Sequence, residues 1–171
     1  LPWSSSLAFA DEVSAGASRF VALDRQHRLA DTRQPADGRY PYSENSRIKG
    51  RHIRVQVSGR SGVPAGATAA VLTVTAINYA NFNFVTVYPS GITAPDVSNL
   101  NMAHQYQVVA NLVTVQLGSD GAVELESYDD CDLIVDVAGA YESVSTAVSA
   151  GRYVGGDTPR RILDSRHSNG G

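Results

Sequence analysis

The 171 residues are 43% hydrophobic and 18% charged, the balance of an ordinary globular domain rather than of a disordered chain. A formal net charge of -3 supplies no basic field for a phosphate backbone, and no apolar run reaches the roughly 18 residues that cross a bilayer as a helix, so neither nucleic acid nor a membrane span is expected. The single cysteine, Cys131, excludes an internal disulfide and leaves stability to the core.

Residues 1–18 read as a leader. Ala8-Phe9-Ala10 before Asp11 has the small-x-small form of a secretory cleavage site, without a basic and an apolar region ahead of it. The remnant of a signal peptide and a flexible leader both fit. Arg19–Leu23 and Arg28–Asp31 then read as the opening strand segments. Asp31 and Arg33 point to one face of this extended stretch, which places Arg33 to make a bidentate pair with Asp31 or with Asp136. The expected role is an ion pair pinning the first strand to the fold, with a ligand-binding arginine as the alternative. A long polar loop follows, in which Tyr40 and Tyr42 flank Pro41.

From His52 the pattern has period two. Ile53, Val55 and Val57 fall on one face, and His52, Arg54 and Gln56 on the other, the mark of a half-buried strand. After a turn at Val63–Thr68, Ala69–Ile77 is apolar or β-branched on both faces and is expected to be an inner strand. Tyr79 and Phe82 lie in an asparagine-rich loop. Phe82–Tyr88 then sets Phe82, Phe84 and Tyr88 opposite Val85 and Val87 and stops at Pro89-Ser90-Gly91. Tyr106 sits between two glutamines. Val108–Leu117 and Leu133–Val137 are dense in aliphatic residues, with a hairpin turn at Gly118-Ser119-Asp120-Gly121 and an acidic turn at Tyr128-Asp129-Asp130.

Seven to nine short strands without helical period predict an all-β fold. The expected form is an antiparallel β-sandwich, jelly-roll-like or Ig-like, with a closed β-barrel as the other architecture. The sandwich is assigned to residues 19–141 and a linker to 142–151.

Residues 152–171 restart the opening. Arg19-Phe20-Val21 and Arg28-Leu29-Ala30-Asp31-Thr32-Arg33 recur 133 positions later as Arg152-Tyr153-Val154 and Arg161-Ile162-Leu163-Asp164-Ser165-Arg166, with Asp24 matching Asp157 in the same register. The favoured explanation is a tandem array of modules, of which this chain holds one copy and the first strand of the next. A strand completing the first module is the alternative.

The ordered motifs Arg28–Arg33, Val63–Ala76, Val85-Thr86-Val87-Tyr88-Pro89-Ser90-Gly91, Ser98-Asn99-Leu100-Asn101, Ala110-Asn111 and Ile134–Gly139 resemble a β-rich repeat module of large secreted actinobacterial proteins. There the module is appended to peptidases, amidases and other wall-active domains or strung in arrays. The resemblance implies a secreted or cell-surface, non-catalytic module that serves as spacer, adhesin or cell-wall attachment unit. Its implied partners are cell-wall polysaccharide or another glycan and neighbouring copies of itself. Ala30 departs from the pattern, in which leucine is usual, and Asn78–Asn83 is richer in aromatics and asparagine.

The alternative functions are a carbohydrate-binding module and, in a different class, a hydrolase accessory or catalytic domain. For the first, Tyr40, Tyr42, Tyr79, Phe82 and Tyr106 are the ligand-binding candidates, since loop aromatics beside amides can stack on sugar rings. For the second, Gly59-Arg60-Ser61-Gly62-Val63 misses the last glycine of a nucleophile elbow, and Glu124 and Glu126, on one strand face next to Tyr128, read first as polar surface rather than as two acids facing a cleft. No catalytic residue and no cofactor are assigned. The histidines have no metal-ligand spacing; Asp129, Asp130 and Asp132 are a weak calcium candidate, read first as a solvated acidic turn.

Overall fold

Strands form where the period-two pattern runs, and the computed structural model describes them within residues 18–33, 52–143 and 152–153. In chain order they are β1 (Ser18–Asp31), β2 (His52–Gln56), β3 (Ala67–Asn78), β4 (Asn83–Pro89), β5 (Leu100–Met102), β6 (Val108–Gln116), β7 (Ala122–Ser127), β8 (Cys131–Ser143) and β9 (Arg152–Tyr153). One sheet has the order β6-β3-β8-β1-β9 and the other β2-β7-β4-β5, every pairing being antiparallel. The two sheets do not join into a barrel; they form the expected sandwich.

The core lies between them. Leu72, Val74 and Ala76 of β3, Val135 and Val137 of β8, Val85 of β4 and Val123 and Leu125 of β7 all have 0% exposure. Each valine or leucine so buried contributes about 1.5–3 kcal/mol. The alternation seen in the sequence survives: Ile53, Val55 and Val57 are buried while Arg54 is exposed, and Val71, Thr73, Thr75 and Ile77 are half-buried on the outer face of β3. As its two apolar faces require, β3 is paired on both sides, to β6 and to β8.

The two opening segments expected from the sequence are one strand. β1 pairs with β8 from Ser18 to Asp31, with register shifts between Ala22 and His27 and between Arg28 and Ala30. The polar Asp24-Arg25-Gln26 stretch, which broke the alternation, is accommodated as an irregularity in that ladder rather than as a turn. The backbone of Arg152–Tyr153 pairs with Ser18 and Arg19, so the restarted motif begins beside its earlier copy. Residues 154–171 lie outside the described residues.

Apart from β4–β5 and β8–β9, consecutive strands belong to opposite sheets, so their connections gather at the ends of the sandwich. The turn at Gly118-Ser119-Asp120-Gly121 is therefore not the expected hairpin: it carries the chain from β6 in one sheet to β7 in the other, where β7 pairs with β2 and β4. One end collects Arg33 and residues 79–82, 103–107 and 128–130. Backbone bonds tie these loops to one another, from Tyr79 N to Asp130 O (3.0 Å), Tyr106 N to Asn78 O (2.8 Å) and Tyr128 N to Phe84 O (3.1 Å).

Candidate functional site

The charged motif at that end is a closed network. Asp31 has 0% exposure, and its Oδ1 accepts from Arg33 Nε (3.0 Å) and the Arg33 backbone N (3.1 Å). Its Oδ2 accepts from Arg33 Nη2 (2.9 Å) and Arg28 Nη1 (3.0 Å). Burial pushes the Asp31 carboxyl upward, but the hydrogen bonds and charge of Arg33, helped by Arg28, hold it below the usual carboxylate range. Of the two pairings open to Arg33, the bidentate one is therefore with Asp31.

Asp136 instead faces Arg28, accepting from Nε (2.9 Å) and Nη2 (3.2 Å). In the sequence Arg28 had a place in the repeated motif but no ion-pair partner, because the residue that it grips is 108 positions away. Its signal was there to read: three residues before Asp31, and matched by Arg161 in the restarted copy. The neighbouring Thr32, also 0% exposed, donates to Asp132 Oδ1 (2.8 Å) and accepts from Leu133 N (2.9 Å). These contacts clamp the end of β1 onto β8.

In the acidic turn the carboxylates of Asp129 and Asp132 have partners within the protein. Asp132 turns inward to Thr32 and to the Tyr79 hydroxyl (2.7 Å), while Asp129 Oδ1 accepts from Asp130 N (2.7 Å). Among the described residues no group of three or more His, Cys, Asp or Glu side chains is placed to hold a metal ion. Cys131, buried beneath this turn, has its thiol pushed up to about 11 by burial.

The aromatic candidates sort into two clusters. Tyr79 and Tyr106 meet edge to face with centroids 6.3 Å apart, Tyr106 being exposed and in the left-handed region at φ 62°. Phe82 belongs elsewhere, lying 6.2 Å from both Phe84 and Tyr128, which themselves stack at 5.3 Å with 21° between planes. Tyr40 and Tyr42 lie outside the described residues.

The second cluster borders an open groove of about 340 Å³ on the outer face of the four-stranded sheet. β4 contributes Phe84 and Thr86, β7 contributes Glu126 and Ser127, and Tyr128 follows directly; Ala94, Pro95 and Asp96 of the β4–β5 connection form the remaining wall. The Thr86 hydroxyl donates to Val97 O (2.6 Å) and ties that connection down. Register explains the arrangement: Thr86 lies opposite Glu126 and Val85 opposite Ser127, so Phe84 and Tyr128 project side by side from adjacent strands. Further along the same face the Tyr88 hydroxyl reaches Glu126 Oε2 (3.3 Å) and Glu124 Oε2 (3.4 Å). Burial and the two glutamates push Tyr88 up to about 12.

Of this groove, the sequence showed the aromatic alternation of Phe82, Phe84 and Tyr88 and the acidic face beside Tyr128. Phe84 and Tyr128 were not among the expected ligand-binding aromatics, because nothing local in the sequence says that β4 and β7 are neighbours. The fold and site together define an antiparallel β-sandwich with an aromatic-walled groove on one sheet. No protein-family model matches the chain, and no curated protein is significantly similar to it.

Proposed function

We propose that the chain is a non-catalytic attachment module of a larger secreted or cell-surface protein, and that its groove holds a sugar unit of a polysaccharide. The observation that carries this reading is the groove itself, with stacked rings of Phe84 and Tyr128 at one side and Thr86, Glu126 and Asp96 around it. Pyranose rings present an apolar C–H face that packs on aromatic rings and hydroxyls that donate to carboxylates, and a volume of this size suits one or two such rings. The open form favours a chain lying across the sheet over a small molecule enclosed by it.

Depletion of the full chain from solution by insoluble cell-wall polysaccharide, chitin or cellulose tests the proposal. Phe84→Ala and Tyr128→Ala are expected to weaken binding at least about tenfold each, with near-native circular dichroism. Tyr106→Ala, in the other cluster, should leave it unchanged. Absence of binding to every polysaccharide would return the chain to the spacer role. Binding that survives both groove substitutions and fails with Tyr106→Ala would move the site to the loop end.

A further inference from the structure

Edges of β-sheets offer unpaired backbone groups and are ordinarily blunted by shortness, charge, proline or bulges. Three of the four edges described here follow that rule: β9 has two residues, β5 three, and β2 five, including Arg54. β6 does not. Its nine residues, Val108-Val109-Ala110-Asn111-Leu112-Val113-Thr114-Val115-Gln116, contain no charge, proline or glycine, and its ladder with β3 runs from Val108 to Gln116 without a register shift. Val108, Ala110, Leu112, Thr114 and Gln116 are all exposed, Val108 and Leu112 at 62% and 61%.

The phase of the β3–β6 ladder says which backbone groups are open. Leu117 N donates to Thr68 O and Asn78 N to Gln107 O, so the odd-numbered residues of β6 aim their N–H and C=O at β3. The even-numbered residues aim theirs away from it. Among the described residues no strand pairs with β6 on that side. The open groups are centred on Leu112.

We infer that β6 is a homodimerisation edge, pairing antiparallel with β6 of a second copy about a two-fold axis at Leu112. In that register Leu112 meets its own counterpart, Ala110 meets Thr114 and Val108 meets Gln116. All five open residues form hydrogen-bonded pairs, about ten backbone bonds in total. The partner is a second copy because the edge is self-complementary: it is uncharged along its whole length, so an equally neutral strand meets it without stranding a charge. The symmetry is isologous and closes at two. Since the axis is perpendicular to the sheet, both grooves face the same side, an arrangement that would add avidity on a polymeric surface.

Sedimentation of the full chain from about 1 µM to about 1 mM should show a monomer–dimer equilibrium. The double variant Ala110→Lys/Thr114→Lys places like charges opposite each other twice and is expected to weaken the dimer about tenfold or more, whereas Ala110→Lys/Thr114→Glu restores two opposite-charge pairs and should stay within about threefold of the native chain. Both substituted positions are exposed, and circular dichroism checks the fold. Independently, Leu112→Cys should form an intermolecular disulfide on mild oxidation, because the paired Cα atoms stand about 5.5 Å apart, and Ala110→Cys alone should not. A monomer at every concentration, association equally strong in both charge variants, or cross-linking by Ala110→Cys and not by Leu112→Cys would each overturn the inference.

Discussion

Replacing Asp31 by asparagine keeps the shape of the buried side chain but removes the charge on which two guanidinium groups converge. One carboxylate accepts four donors here, three from Arg33 and one from Arg28, and the amide of asparagine turns an NH₂ toward some of them. Breaking a fully buried ion pair costs about 3–5 kcal/mol. Two features reduce that figure: the Arg33 and Arg28 side chains are 39% and 33% exposed, and Arg28 keeps its two bonds to Asp136. A loss of about 2–3 kcal/mol at neutral pH is therefore expected for Asp31→Asn, measured by urea unfolding. Arg33→Met and the double variant complete a cycle whose coupling should be about 1–2 kcal/mol.

The pH dependence has a definite sign. The native Asp31 carboxyl lies below its unfolded value, so its contribution is fully present above the ordinary carboxylate pKa of about 4 and is lost as pH falls through the native one. The gap between native chain and Asp31→Asn should shrink on acidification. A variant within about 0.5 kcal/mol of the native chain at pH 7, or a gap that widens in acid, would refute the account of the clamp.

Cys131, with 0% exposure and a thiol raised to about 11, should resist a thiol reagent at mildly alkaline pH and react at once when the chain is unfolded; rapid labelling of the folded protein would contradict its burial. Tyr88 should ionise near 12 in a spectrophotometric titration, with its component identified by Tyr88→Phe. Because that value is raised, its stabilisation is complete below the ordinary tyrosine pKa near 10 and is lost as pH rises toward 12. Glu126→Gln should bring the Tyr88 ionisation down, and an unmoved titration would show that the glutamate does not act on the phenol.

Strand faces were legible in the sequence wherever one side of the strand meets the core, as at Ile53, Val55 and Val57, because alternation is a local consequence of the pleat. The same reasoning gave β3 two partners and made the fold all-β. β5 was missed, since three residues carry too little periodicity to register. Loop aromatics were read as one platform, yet the chain crossing between sheets sends Tyr79 with Tyr106 to one cluster and Phe82 to another.

By itself, then, the sequence determined the alternation, the places where strands stop, the absence of an internal disulfide and the repeated Arg-x-x-Asp-x-Arg opening, all properties read along the chain. It did not determine that the turn at Gly118-Ser119-Asp120-Gly121, expected as a hairpin, crosses from one sheet to the other. Only tertiary structure decided that Asp136 belongs to Arg28, that Phe84 stacks on Tyr128, and that a neutral nine-residue strand stands at a sheet edge. The physical reason is that strand order and register are chosen by the joint burial of all inner faces at once. Residues on a strand know which way they point, but which strand lies beside them is settled by the packing of the whole sandwich.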